Sequence, residues 1–476
     1  MRRLALLAWP LAFASTLACT PPPSGDAGDD AADDTTGDTS AETGDTGEAL
    51  RPNWHQDIAP LVYGNCVNCH AEGSIAPFSM ESYEQAAPWA AAVVDATEEG
   101  TMPPWGAINT DECQPAWNWR HDLRLSDEDK QLLVDWLAAG TPEGDPAEAA
   151  ALPEPTSLDL ANPSITLKNP APFTVGGTKD SFVCMVMDPG HSEELWIDGV
   201  QVIPDNAEVV HHVLTYVDTA GVTDDMVDEN GMFPCPGGVF FETGVAQMST
   251  WVPGGLPTET PPGVAFRLPV GGKIVLAYHY HPTGNGDEVD QSSVALRWST
   301  QEPDLPGYGI AYGAAFNSSG VEPSPDDVEG EPLFYIPANA SGHVETYTLE
   351  IPAFVPPISV FAIGTHMHYV GVDMKISVLR GGEEFCVVQT PKWDFNWQRV
   401  YDIDLPLDQL PTLQGGDIVK LTCTYDNTLD NPLLAEALAE QGLDQPVPVY
   451  VGEQSLEEMC VALVNLATDI PIELFF

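Results

Sequence analysis

Thr365-His366-Met367-His368-Tyr369-Val370-Gly371 is the stretch on which the reading of this chain turns. On a β-strand, residues i and i+2 share a face, so His366 and His368 can chelate one metal ion from a single pleat while Met367 points the other way. Further up the chain His279-Tyr280-His281 repeats that spacing, and His211-His212 forms an adjacent pair. Six of the eleven histidines therefore fall in three tight groups, which chance explains poorly. Neighbours on a strand face opposite ways, so His211 and His212 can serve one ion only where the strand is locally distorted by a bulge. Imidazole with little carboxylate suits copper, zinc or iron, and an added thioether tips the choice to copper, because that soft donor favours Cu(I).

The composition agrees with a strand-rich chain. Its 476 residues include 44 Pro and 41 Gly, scattered rather than periodic, which argues for many turns and for short strands outnumbering helices. Hydrophobic content of 43% supports several domains, each burying its own core. Against 72 Asp+Glu stand 16 Lys+Arg, a formal charge of −56 that excludes nucleic acid and anionic lipid surfaces as partners.

Arg2 and Arg3 precede an apolar run from Leu4 to Ala14, and small residues then lead to Cys19. Residues 1–19 read as a secretory signal of the lipoprotein type, with Cys19 as the lipidated residue; the apolar run is too short to span a bilayer. Thr16 stands where such signals usually carry Leu, and cleavage after Ala18 without lipidation is the alternative. Residues 20–50 hold nine acids and no base among Pro, Gly, Ala and Thr, and are expected to be a disordered acidic tether. The expected location is the periplasm, or the outer membrane or cell surface of a bacterium, with the membrane reached only through a lipid anchor.

Cys66-Val67-Asn68-Cys69-His70 is C-x-x-C-H. Two thiols at this spacing can form thioethers to haem vinyl groups while the adjacent His70 reaches the iron. A redox dithiol would need thioredoxin-like surroundings, and a zinc site a second Cys/His pair; neither is visible. Met102, on the proline-fixed run Thr101-Met102-Pro103-Pro104-Trp105, is the expected sixth ligand, with His121 as the fallback. Ser126 then caps a helix whose apolar face is Leu132, Leu133, Trp136 and Leu137, ended by Gly140 and Pro142. Residues 51–148 thus read as a small all-α cytochrome c domain with one covalent haem c, followed by a linker over 149–165.

Beyond the linker, five blocks carry a family resemblance. They hold His211-His212, His279-Tyr280-His281, His366-Met367-His368, Leu421-Thr422-Cys423 and Glu457-Glu458-Met459-Cys460. In this order they resemble the copper type II, ascorbate-dependent monooxygenases, the group of dopamine β-monooxygenase and peptidylglycine α-hydroxylating monooxygenase. The resemblance implies two all-β sandwich, jelly-roll-like copper domains, over residues 166–302 and 303–476, and two copper ions. It implies His211, His212 and His279 as ligands of an electron-storing copper, and His366, His368 and Met459 as the catalytic ligands of an oxygen-activating one. His281 is read as supporting the first site rather than binding its ion. Disulfides Cys184–Cys235 and Cys423–Cys460 are implied as well, while the sequence leaves open whether Cys113 and Cys386 pair.

The implied reaction hydroxylates an activated C–H of a small molecule with O2, using electrons from an ascorbate-like donor or a redox protein. Gly364 stands where the amidating branch carries an arginine for the substrate carboxylate, and Val461 and Leu463 replace its Asn and Tyr after the copper-binding Met. A neutral or hydrophobic substrate is therefore expected. So acidic an exterior repels anionic reductants such as ascorbate, which favours a fused haem feeding electrons to the His211/His212/His279 copper. The alternative is a haem- and copper-binding electron-transfer lipoprotein without hydroxylase turnover.

Overall fold

Three helices organise residues 54–142 of the computed structural model: α1 (Ala59–Asn65), α2 (Ala90–Glu99) and α3 (Asp127–Ala138). The model describes residues 51–470, apart from residues 75, 154–158, 178, 240–243, 316–319, 325–332 and 455; the expected signal, Cys19 and the tether lie outside the described residues. Helix α3 begins where Ser126 Oγ accepts the Asp129 N–H at 3.1 Å, and three acids in its first turn suit the helix dipole. Leu133 and Trp136 are the fully buried members of its apolar face and pack with Trp54, Ile58, Val62 and Val94 into a small core. Among the described residues no helix is long and apolar enough to cross a membrane.

The expectation of one continuous domain over 51–148 needs a correction. Residues 105–123 leave the helical core and run as a strap along the sheets that follow. Trp105, Ala107 and Trp119 are buried in the large β core, not the helical one. The strap is fixed by the Cys113–Cys386 disulfide, by Ile108 N–H donating to Gln389 O at 3.1 Å, and by Arg120 N–H donating to Asp402 O at 2.8 Å. His121, the fallback iron ligand, is exposed on this strap at φ 55°.

The rest is strand. In chain order the principal strands are β1 (Ser181–Met187), β2 (Leu195–Ile203), β3 (Val210–Asp218), β4 (Val245–Trp251), β5 (Val264–Leu268), β6 (Lys273–Tyr280), β7 (Ser293–Trp298) and β8 (Leu305–Ala314). They continue as β9 (Ser341–Glu350), β10 (Ile358–His366), β11 (Gly371–Arg380), β12 (Glu383–Thr390), β13 (Arg399–Asp402), β14 (Ile418–Asp426) and β15 (Cys460–Ala467). The first half pairs β4-β3-β6-β1 in one antiparallel sheet and β7-β2-β5 in another. The second half pairs β8-β15-β10-β13 and, across its core, β9-β14-β11-β12. This is the expected β-rich architecture.

Strand β8 joins the halves. Gly309 pairs Gln247 of β4, Leu305 and Pro306 run parallel to β5, and residues 307–314 pair the whole of β15. The expected split near residue 303 therefore falls just ahead of a shared strand. A Cβ on Gly309 would lie 2.9 Å from the Gln247 carbonyl oxygen, so only glycine permits this approach.

Candidate metal centre

The first histidine group is built by β3 and β6. His279 is opposite His212, but Tyr280 is opposite Val210, so His211 is the extra residue of a β-bulge. That distortion brings two consecutive histidines to one side. The ligand atoms of His211, His212 and His279 all lie within 4.8 Å of one another, and His211 Nδ1 is 3.2 Å from His212 Nδ1. Metal–nitrogen bonds of about 2 Å put neighbouring ligand nitrogens about 3 Å apart, so the trio fits an ion. Burial, reinforced by the other imidazoles, holds His211 and His212 well below the ordinary histidine pKa, in the neutral form a metal requires.

Asp180, just ahead of β1, is a member the sequence did not reveal. Its Oδ1 accepts from His281 Nδ1 at 2.7 Å and its Oδ2 lies 3.1 Å from His279 Nε2. Its carboxylate thus holds His281 beside the trio and lies against His279, consistent with a supporting role for His281.

The second group lies at the end of β10. His366 Nδ1 donates to Gln398 Oε1 at 2.6 Å, and His368 Nδ1 donates to the Glu457 carbonyl at 2.9 Å. Both Nε2 atoms are thereby left as the available ligand atoms. Burial takes the His366 pKa down to about 4 and that of His368 down to about 3. Met367 turns to the other face and is fully buried in the β core. Met459, 8% exposed, precedes β15, whose first residue is bonded to Cys423 of β14 by a disulfide. The carboxylate of Glu458 ties the two arms together, accepting N–H groups from His368 at 2.6 Å, Met459 at 2.8 Å and Val370 at 3.2 Å.

The two groups share one cavity of about 190 Å³, lined by His212, His279, His366, His368 and Met459. Ring centroids of His212 and His366 are 5.9 Å apart. Leu214, Val461 and Leu463 contribute apolar wall, and Glu453 is the charged residue in the lining, which contains no lysine or arginine. Burial, and then the charge of Glu457, push the Glu453 carboxyl up to about 7.

A seven-residue run, Trp393-Asp394-Phe395-Asn396-Trp397-Gln398-Arg399, reaches every part of this centre. Trp393 Nε1 donates to His368 O at 3.1 Å, Phe395 stacks on His211 with centroids 4.3 Å apart, and Gln398 holds His366. Trp393 and Trp397 also line a cavity of about 70 Å³ whose other wall is the loop from Gly100 to Ile108.

At the helical end, Cys66 and Cys69 are free thiols, and burial pushes Cys66 up to about 12. His70 Nδ1 donates to Phe78 O at 3.0 Å, which leaves its Nε2 for a ligand. Met102 is half-buried beyond α2, three residues before Trp105. These residues suit a covalent haem: two thiols, and an imidazole with its second nitrogen fixed. The disulfides Cys184–Cys235 and Cys423–Cys460 form as the resemblance implied, and Cys113–Cys386, undecided in the sequence, is the third.

With the geometry in place, comparison with known proteins adds one firm result. Residues 333–474 match the model of the copper type II ascorbate-dependent monooxygenase, C-terminal domain. That span holds His366, His368 and Met459, and the match supports a copper-dependent monooxygenase, an oxygenase-type oxidoreductase, in general terms. No curated protein matches the chain. Among solved structures it is similar to the major capsid protein P2 of bacteriophage PM2, at 8% identity over 60% of this chain and 97% of that one, with a TM-score of 0.24. It is also similar to a Paenibacillus xanthan lyase, at 10% identity over 70% of this chain and 28% of that one, with a TM-score of 0.16. At such TM-scores these likenesses carry no argument.

Proposed function

We propose that this protein is an exported copper monooxygenase that hydroxylates a neutral or hydrophobic small molecule, with a fused c-type haem as its electron donor. The observation that carries the reading is the facing pair of imidazole groups, with Met459, around one shared cavity. Bound copper would supply O2 activation and electron storage, and haem iron one-electron exchange.

The protein's own residues then have defined tasks. His211, His212 and His279 would hold one copper, with Asp180 against His279 and hydrogen-bonded to His281. His366, His368 and Met459 hold the other, with Gln398, Glu458 and the Glu457 carbonyl fixing the imidazoles and the thioether arm. Leu214, Val461 and Leu463 place the substrate by apolar contact, and the absence of lysine or arginine from the lining gives a substrate carboxylate no partner. Burial keeps the His211, His212, His366 and His368 imidazoles in the neutral form that a metal requires. The strap and the run from Trp393 to Arg399 connect the haem-bearing loop to both histidine groups, with Phe395 on His211 as the contact nearest the electron-storing site.

The experiment is metal analysis of the exported protein together with oxygen uptake against product formation on neutral aromatic and aliphatic substrates. Two coppers and one haem iron per chain, with uptake matched to hydroxylated product, are expected. Met459→Leu should abolish product while leaving the haem spectrum intact. A wild-type protein without copper would remove the reading, and activity on a peptidylglycine equal to that on neutral substrates would remove its substrate part.

A further inference from the structure

Among the described residues Arg399 is a buried cation with no ion-pair partner. It opens β13, and Gln398 just before it faces the metal cavity to hold His366. Strand alternation turns Arg399 to the opposite face, together with Tyr401 and toward the strap. There its guanidinium lies 5.6 Å from the centre of the Trp105 ring, while Tyr401 OH accepts the Gly106 N–H at 3.1 Å. Arg399 is 8% exposed. Nη2 makes one long bond, to Gly254 O at 3.3 Å, and Nη1 has no partner. Among the described residues no carboxylate forms an ion pair with it, in a chain that carries 72 acids.

A guanidinium stays charged even when buried. Leaving such a charge uncompensated is strongly destabilising, and stacking on a tryptophan offsets only part of that cost. The site is therefore built for an anion, and its position says which. Trp105 and Tyr401, the two rings beside it, line a small cavity with Gly100, Thr101 and Pro104, the loop that carries Met102. Trp105, on which it stacks, follows the Met102 turn by three residues. A substrate carboxylate is the wrong anion, because Arg399 lies on the far face of β13 and does not line the metal cavity.

We propose that Arg399 receives a haem propionate and so seats the haem against the back of the strand that positions His366. The inference rests on reading Cys66-x-x-Cys69-His70 as a covalent haem site. A haem tethered there carries two carboxylates, and a planar carboxylate matches the two-pronged guanidinium better than any other donor pair in a protein. Arg399 then joins the haem edge to Gln398 and His366 through one peptide bond and one hydrogen bond.

The test uses full-length protein with covalent haem, as Arg399→Met and Arg399→Lys, compared with wild type by pyridine haemochrome spectrum and by dye titration of the haem potential. R399M should keep its haem and copper, but losing the positive charge should favour the ferric state by about tenfold, a fall of about 59 mV for one electron. R399K should hold the potential near wild type. Haem retained with an unchanged potential in R399M overturns the proposal and leaves the haem reading standing; no covalent haem in wild type overturns both. Should R399M not fold, resonance Raman of R399K decides. The propionate bending band shifts if the guanidinium was its partner, and a band at the wild-type position overturns the proposal.

Discussion

Most of the clustered imidazoles have a neighbour that takes one of their nitrogens or packs against the ring. Gln398, the Glu457 carbonyl and Asp180 are such neighbours, and none of them stands near its histidine in the sequence. The preparation has a pH signature. Burial lowers the pKa of His366 to about 4 and of His368 to about 3, against about 6.5 for a free imidazole. In the metal-free protein the contribution of this pair to stability is therefore complete above about pH 6.5. As the pH falls from there toward 4 and then 3, the unfolded chain takes up protons that the folded chain refuses, and that contribution is lost. Denaturant midpoints of metal-free protein should drop across this window, and His366→Gln/His368→Gln should flatten the drop; an equal drop in the double variant would reject this origin.

Among the elements, the bulge in β3 and the strap decide the most. The sequence stated the condition for His211 and His212 to share an ion, and the register shift opposite His279 and Tyr280 meets it. The strap was not legible. Residues 105–123 sit between helical segments, and burial of Trp105 and Trp119 in one core or another leaves the same local pattern in the sequence. Cys113–Cys386 closes a separation of 273 residues, and such a closure removes up to about 5 kcal/mol of unfolded-chain entropy. Cys113→Ser/Cys386→Ser should lower the melting temperature and expose the strap to limited proteolysis between residues 105 and 123, with Cys184–Cys235 and Cys423–Cys460 intact. Protection equal to wild type would mean that hydrogen bonds alone hold the strap.

For the whole molecule, the run from Trp393 to Arg399 is the common wall between the loop that carries Met102 and both histidine groups. Replacing His70 or Met102 should slow re-reduction of the coppers in stopped-flow measurements, since the covalent donor would be impaired while the copper ligands are untouched. An unchanged rate would mean that electrons enter by another route. The charge of −56 fits this arrangement, because an acidic exterior disfavours an anionic reductant.

Strand alternation, the C-x-x-C-H spacing and the order of five motif blocks were enough to name the histidines, Met459 and two of the three disulfides, because those signals are local or ordered along the chain. Asp180, Gln398, Glu458 and Arg399 took their roles from the fold. A side chain's hydrogen-bond partner or missing counter-charge depends on which distant strands become neighbours, and here that was settled by the shared strand β8 and by the strap that crosses onto β12 and β13.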